Sequence, residues 1–334
     1  MRSITAFAVL VFICAGPALS QERGGYAFSV SPNLGMFYGR AEEIVYPDGN
    51  TRAPLLSQLL WDMKPVFYYG IKLDFSQIEP MRKWGFFTDL SFKLGIPGSS
   101  GNMEDFDWQS IENANLTNYS KHDNTTKELF LLDFSAGVSF PLRYGLLIKA
   151  LADVSYKRFS FYGTGGYLKY AREINGGGKY YPINDNPDVL YIPSKEKLIN
   201  YTQEWLVIAP GVSLRYYFIR QLFAELSFQI SPLIFCADLD EHLLFHDDSG
   251  RLVGKNKQFR DYTRGGLYLE PALRVSYFFG KRFEFSLECS WQYITGSKGA
   301  AYSRPLGIGN YTPEGKAGTG LSLLDAGLFL KIRF

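Results

Sequence analysis

The sequence predicts an all-β protein, a ten-stranded antiparallel up-and-down transmembrane β-barrel with long extracellular loops. Ten segments have an apolar residue at every second position, and the connections between them alternate between long and short. Aromatic residues make up 16% of the 334 residues. A period of two is typical of strands with one apolar face. Outer-membrane barrels also carry girdles of aromatic side chains, so the composition favours the same fold.

The first twenty residues have the pattern of a secretory signal peptide. Arg2 is followed by the short apolar stretch 6–15, and small residues occupy the cleavage positions Ala18-Leu19-Ser20 before Gln21. This apolar stretch is too short to cross a membrane as a helix. We therefore expect residues 1–20 to be removed and residues 21–334 to form one barrel domain.

The ten predicted strands follow one another along the mature chain. Their alternating segments are Phe28–Met36, Phe67–Phe75, Trp84–Leu94, Phe130–Phe140, Leu146–Val154, Ile208–Phe218, Leu222–Ile230, Leu267–Tyr277, Phe283–Tyr293 and Leu324–Phe334. The last of them ends the chain on Phe334, as the terminal strands of bacterial outer-membrane barrels do. We expect the first and last strands to pair, because only a closed barrel satisfies every backbone polar group in lipid.

The connections between these segments fall into two classes. Five are long (about residues 40–64, 97–127, 163–198, 243–258 and 294–320) and four are short (76–83, 141–145, 219–221 and 280–281). Short periplasmic turns and long external loops are typical of outer-membrane barrels, so we expect that location, with the long loops outside. Ten strands enclose too little space for an open channel, so we expect no porin activity.

Charge and cysteine content exclude several kinds of partner. The net charge is +2 and the Lys and Arg residues form no basic run, so no nucleic-acid partner is expected. Three Cys and three His form no spaced zinc motif, and no loop has the spacing of an EF-hand. We predict neither a metal nor a cofactor, and we expect a monomer.

Acidic residues gather at the long-loop ends of three strands. Asp105 and Asp107 are two positions apart, so their carboxylates point to the same side of an extended chain. Glu43 has the inward parity of the first strand. Each acid taken alone is typical of a solvated loop.

The seventh strand changes phase near Pro232. Its even-numbered residues are apolar below the proline and its odd-numbered ones above it, which a β-bulge explains. The bulge would turn Asp238, Asp240 and His242 inward together. Five inward acids and a histidine at one end of a barrel indicate a site, because packed like charges perturb each other's pKa values.

These motifs resemble those of the omptins, outer-membrane endopeptidases of Gram-negative bacteria. The resemblance covers essentially the whole mature chain in the same order. It rests on Gly101-Asn102-Met103-Glu104-Asp105-Phe106-Asp107-Trp108, Asp238-Leu239-Asp240-Glu241-His242 and Arg158-Phe159-Ser160 with Gly165-Gly166, supported by Leu34-Gly35 leading to Glu43 and by the stretch from Ser57 to Lys64. It implies a ten-stranded barrel with its site in a cleft at the outer mouth.

The resemblance also implies the roles of four site residues. Asp240 and His242 match the dyad that polarises the attacking water, and Asp105 and Asp107 match the facing pair that holds it. In such hydrolysis a histidine accepts the proton of water as a general base, while its aspartate orients the ring. This predicts an aspartic-type endopeptidase without a serine nucleophile.

Glu43 and Asp238 match the acids at the base of the omptin specificity pocket. Two shielded carboxylates select a basic side chain, pairing with Arg in a bidentate manner. We therefore expect peptide or protein substrates cleaved next to Arg or Lys. A non-catalytic outer-membrane barrel acting as an adhesin or binding surface is the alternative. A lipid-A-modifying enzyme is a third, but its site would face lipid.

The sequence departs from the omptins at their lipopolysaccharide site on the outer face. Arg158 matches one basic member of that motif and is the predicted lipid contact. Val154 and Tyr156 replace a tyrosine and an acid, and Glu204 stands where a second arginine is expected. A carboxylate at that position repels phosphate, so dependence on lipopolysaccharide is doubtful.

Overall fold

The structure is a computed structural model that describes residues 26–47, 53–77, 84–142 and 145–334. The predicted signal peptide, residues 1–20, lies outside the described residues, and so do residues 78–83 of one predicted turn. Within the described ranges, no helix is long and apolar enough to cross a membrane.

Thirteen strands form one antiparallel sheet that closes on itself. They are β1 Tyr26–Tyr46, β2 Ser57–Gln77, β3 Gly85–Gly95, β4 Gly98–Asp107, β5 Asn118–Pro141, β6 Leu146–Tyr170, β7 Asp188–Ile219, β8 Leu222–Ser231, β9 Ile234–His246, β10 Leu252–Arg264, β11 Leu267–Phe279, β12 Phe283–Pro305 and β13 Thr312–Arg333. Pairing of β1 with β13 closes the barrel, and the backbone N–H of Phe334 donates to the carbonyl of Phe28 at 3.0 Å.

Ten strands surround the barrel axis at each level, which confirms the prediction. The lower ring contains β3, β8 and β11, and in the upper ring β4, β9 and β10 take their places between the same neighbours. The break between β8 and β9 lies at Pro232, where the sequence indicated a bulge. Leu226 faces outward below it at 60% exposure and Phe235 above it at 46%, while Ile234 is buried, so the predicted phase change is present.

The upper parts of the strands extend beyond their predicted ends. Among the described residues, the outer connections cover only 47, 53–56, 108–117, 171–187, 247–251 and 306–311, so the wider bounds from the sequence were wrong. Above the lipid both faces of a strand accept polar residues, so the apolar alternation stops while the backbone ladder continues. These hairpins raise the barrel well above its apolar band.

The lower half of the barrel has an apolar outer face and a charged interior. Large apolar side chains such as Leu34, Phe67 and Leu226 are 56–66% exposed on the outside. Inside, ion pairs such as Arg215–Glu225 at 2.6 Å and Arg274–Glu284 at 2.8 Å occupy the lumen. This arrangement is that of a transmembrane barrel, with lipid outside and paired charges within.

An aromatic layer lies inside the upper barrel. The ring of Trp61 stacks on Tyr201, with centroids 5.2 Å apart, and on Phe161, with centroids 5.8 Å apart. All three side chains are fully buried. Trp61 lies two residues below Leu59, which pairs with both Glu43 and Asp105, so the layer supports the level at which the predicted site residues begin.

Candidate active site

Asp240 and His242 form a hydrogen-bonded pair near the outer end of β9. The phase change at Pro232 directs both side chains into the barrel, as the sequence predicted. Nε2 of His242 lies 2.7 Å from Oδ2 of Asp240. The aspartate side chain is 3% exposed and the histidine side chain 25%, so the carboxylate is fixed while the imidazole reaches solvent.

The surroundings of His242 set its tautomer and its basicity. A neutral imidazole has one donor and one acceptor, so a hydrogen on Nε2 that points to Asp240 leaves Nδ1 as the acceptor. Burial opposes the imidazolium, but the charge and hydrogen bond of Asp240, with a further contribution from Asp105, raise the pKa of His242. Phe259 packs edge-on against the ring at 5.4 Å between centroids.

Asp105 and Asp107 lie at the upper end of β4. Both side chains point inward, and each is held by a neighbouring strand: Ser57 Oγ donates to Asp105 Oδ1 at 3.2 Å, and Asn118 Nδ2 donates to Asp107 Oδ2 at 3.1 Å. These bonds occupy one oxygen of each carboxylate and orient both groups.

Burial makes this aspartate pair less acidic than free carboxyl groups. Burial and then the neighbouring charge of Asp107 raise the pKa of Asp105 well above its ordinary value. Burial also raises the pKa of Asp107, although the bonds from Asn118 and Ser57 oppose the change. Two close, shielded carboxyl groups share a proton more readily than they both ionise. A pair that holds one proton offers both a hydrogen-bond acceptor and a donor.

One cavity joins the aspartate pair to the histidine. Asp105, Asp107 and His242 all line this cleft of about 260 Å³. Lys255 lines it too, within a break of register between Gly254 and Lys257 that places an extra residue at the cavity wall. Bulges of this kind redirect side chains beside active sites.

Glu43 and Asp238 lie together deeper in the barrel than the cleft, next to a third acid that was not predicted from the sequence. Asp261 of β10 pairs directly across from Asp238 of β9. One carboxylate oxygen from each of Glu43, Asp238 and Asp261 lies within 4.8 Å of the other two, a spacing that suits a cation. The three acids are 2–3% exposed and lie outside the wall of the cleft as it stands.

Burial disfavours ionisation of all three deep acids. It raises the pKa of Glu43 and Asp238 well above their ordinary values, with added repulsion from neighbouring aspartates. Burial, followed by the charge of Asp240, raises the pKa of Asp261 to about 7. The sequence contained a signal for Asp261, because Phe259, Asp261 and Thr263 alternate with Arg260, Tyr262 and Arg264. Tyr262 and Arg264 are exposed, whereas Asp261 and Thr263 are buried.

Arg158 lies apart from the cleft, on the outer face of the barrel. Its Nε is 3.1 Å from Glu128 Oε2, and its Nη1 bonds to Glu204, the acid opposite it on β7. The guanidinium is thus already neutralised by two carboxylates. Arg260 stacks on Tyr311, with 5.5 Å between its Cζ and the ring centroid, and the charge of Glu204 contributes to its raised pKa.

Comparisons with known proteins identify the family of the chain. The model of the omptin family matches residues 25–319. The plasminogen activator of Yersinia pestis is 23% identical over 96% of both chains. The crystal structure of the outer membrane protease OmpT from Escherichia coli superimposes with a TM-score of 0.76 at 20% identity, covering 94% of this chain and 99% of that one. The fold and the location in the outer membrane are those predicted, and the chain belongs to the omptin family.

Proposed function

We propose that this chain is an aspartic-type outer-membrane endopeptidase that hydrolyses peptide bonds next to Arg or Lys. The observation that carries the proposal is the His242–Asp240 pair, at 2.7 Å, in a cleft shared with Asp105 and Asp107. Membership of the omptin family and the likeness to an outer membrane protease support it.

His242 activates the attacking water. Its Nδ1 accepts a proton as the water oxygen attacks the substrate carbonyl, while Asp240 holds Nε2–H and stabilises the resulting imidazolium. The raised pKa of His242 makes it a stronger base at neutral pH. The imidazolium then returns its proton to the leaving amine, which breaks the peptide bond.

Asp105 and Asp107 position the water and the developing oxyanion. We assign the pair a single proton, with one carboxyl group protonated and its neighbour charged, in keeping with the upward direction of both pKa values. The charged member accepts a hydrogen bond from the water, and the protonated member donates one to the carbonyl oxygen as negative charge accumulates there. A donor aimed at an oxyanion in a shielded site lowers the barrier by about 3 kcal/mol.

The deep acids select the substrate residue beside the cleaved bond. Glu43 and Asp238 carry buried oxygens that find no hydrogen-bond partner among the described residues. A guanidinium or ammonium group supplies both the missing donors and the missing charge. A neutral or acidic side chain leaves these carboxylates unpaired, so peptides with such residues are poor substrates.

The test is hydrolysis of a fluorogenic Arg-Arg peptide by the purified, refolded barrel. Because His242 is the base, we expect His242→Ala to lower kcat/KM by about a hundredfold or more. The matched control is His246→Ala, since His246 lies four residues further along β9 with a 57% exposed side chain and outside the cleft wall. The control should keep parental activity.

Both variants should run as heat-modifiable barrels on a gel, which separates loss of catalysis from loss of folding. Normal cleavage by His242→Ala would show that another group activates the water. A folded parent that cleaves no basic peptide would favour the alternative of a non-catalytic binding barrel.

A further inference from the structure

The pocket acids proposed above number three rather than two. Glu43, Asp238 and Asp261 come from β1, β9 and β10, and their contributing oxygens lie within 4.8 Å of one another. Each acid is at least 97% buried and has one oxygen without a hydrogen-bond partner among the described residues. Buried polar groups are rarely left unpaired, so these oxygens point to a ligand that supplies hydrogen bonds and positive charge.

The spacing of the three oxygens limits the shape of that ligand. Acceptors that surround one tetrahedral nitrogen at about 2.8 Å are separated from each other by roughly 4.6 Å. Oxygens within 4.8 Å of one another therefore fit around a single nitrogen. An ammonium group has three N–H donors on one atom, one for each acid.

A guanidinium fits this triangle less well. Its five N–H donors lie around the edge of a plane, and one terminal nitrogen offers only two of them. Three acceptor oxygens placed around the edge of that plane must be further apart than the three carboxylate oxygens are. With Arg bound, one of the three carboxylates keeps an unpaired oxygen, which is a destabilising arrangement in a buried site.

We propose that Asp261 is a specificity-determining residue that completes a three-carboxylate pocket for a primary ammonium, so that the protein cleaves next to lysine in preference to arginine. This inference rests on the proposed endopeptidase function. Burial and the charge of Asp240 favour the protonated form of Asp261, and an entering ammonium reverses that preference by pairing with the carboxylate.

The remaining contacts leave Asp261 available for such a ligand. Asp238 already accepts a hydrogen bond from the hydroxyl of Tyr201 at 3.4 Å, whereas no side-chain donor to Asp261 is present among the described residues. Asp261, like Glu43, therefore depends on an incoming donor, whereas Asp238 already has one.

The experiment compares two peptides that differ only in a single Lys or Arg before the cleaved bond, in buffer with a chelator. We expect the parent to have a higher kcat/KM for the Lys peptide than for the Arg peptide. Asp261→Asn should lower the Lys-to-Arg ratio about tenfold, through KM for the Lys peptide. Asp261→Ser tests the same loss with a smaller side chain, and Asp248→Asn replaces an exposed acid as the control.

The outcomes separate this inference from the function on which it depends. A parent that cleaves the two peptides equally or prefers Arg, or a ratio unchanged in folded Asp261→Asn and Asp261→Ser, overturns the lysine pocket while the endopeptidase proposal stands. Cleavage of neither peptide by the folded parent contradicts the endopeptidase proposal itself. A shift of the ratio in Asp248→Asn would also contradict the role of Asp261, because that acid lies on an outer turn.

Discussion

Asp261→Asn should make the empty barrel more stable, and the gain should grow with pH. The folded barrel holds the proton of Asp261 more tightly than the unfolded chain, because its pKa rises from 3.8 to about 7. The free energy of unfolding of the parent therefore falls as pH increases from about 4 through about 7. An amide of the same shape has no proton to lose and escapes this penalty.

Proton linkage gives the size of the effect. With these two pKa values, ionisation of Asp261 lowers the free energy of unfolding by roughly 2.5 kcal/mol between pH 5 and pH 8. The charge of Asp261 also raises the pKa of Glu43 and Asp238, so its removal eases their ionisation and acts in the same direction. The gap between the two stabilities should therefore widen by at least that amount.

Guanidinium unfolding of the refolded barrel in detergent, followed by tryptophan fluorescence, measures this gap at pH 5 and pH 8. Five tryptophans provide the signal. Asp248→Asn, at an exposed acid, should show a constant gap between the two pH values. A gap for Asp261→Asn that stays constant as well would refute the claim that this acid is buried without compensation.

Three further predictions concern activity. Because Asp240 raises the pKa of His242, Asp240→Asn should lower activity about a hundredfold or more and move the acid limb of the kcat/KM profile to lower pH. An acid limb that stays in place would show that this limb does not report the ionisation of His242. Glu43→Ala and Asp238→Ala should each raise KM for basic peptides, since each variant loses roughly 2–5 kcal/mol of binding free energy. Cleavage of Leu peptides as fast as Arg peptides by the parent would contradict the acidic pocket. Lipopolysaccharide should activate weakly, and Arg158→Ala should change little in a titration with that lipid, since the guanidinium is already paired; strong activation abolished by this variant would contradict the assignment.

The lower barrel could be predicted from the sequence because lipid imposes a strict rule on it. Every outward position there has to be apolar, so segments such as Phe283–Tyr293 display their strand parity directly. The same parity located Glu43 and the phase change at Pro232. From that phase change, the inward direction of Asp238, Asp240 and His242 was predicted correctly.

The upper barrel was harder to predict because water removes that rule. Residues 40–46 of β1 and 252–264 of β10 continue the sheet with mixed polar faces, and the sequence analysis assigned most of them to connections. Asp261 lies in this region, so its inward direction was overlooked. The irregularity between Gly254 and Lys257 has no clear sequence signal, and it shifts the register of the β9–β10 hairpin.

The deep acids conflict with the rules that stabilise a sheet, and this conflict itself indicates function. Asp238 and Asp261 occupy directly opposite positions on β9 and β10, where like charges are destabilising. A neighbouring side chain of positive charge would remove that penalty. The lower lumen contains such pairs, and Lys149 lies 2.9 Å from Glu225 there. Glu43, Asp238 and Asp261 have no ion-pair partner among the described residues, and Lys255 at the cleft wall acts on Asp107 and His242 instead. Three buried acids without a counterion are costly to keep, and this cost is the physical reason for the proposal that they receive the basic side chain of a substrate.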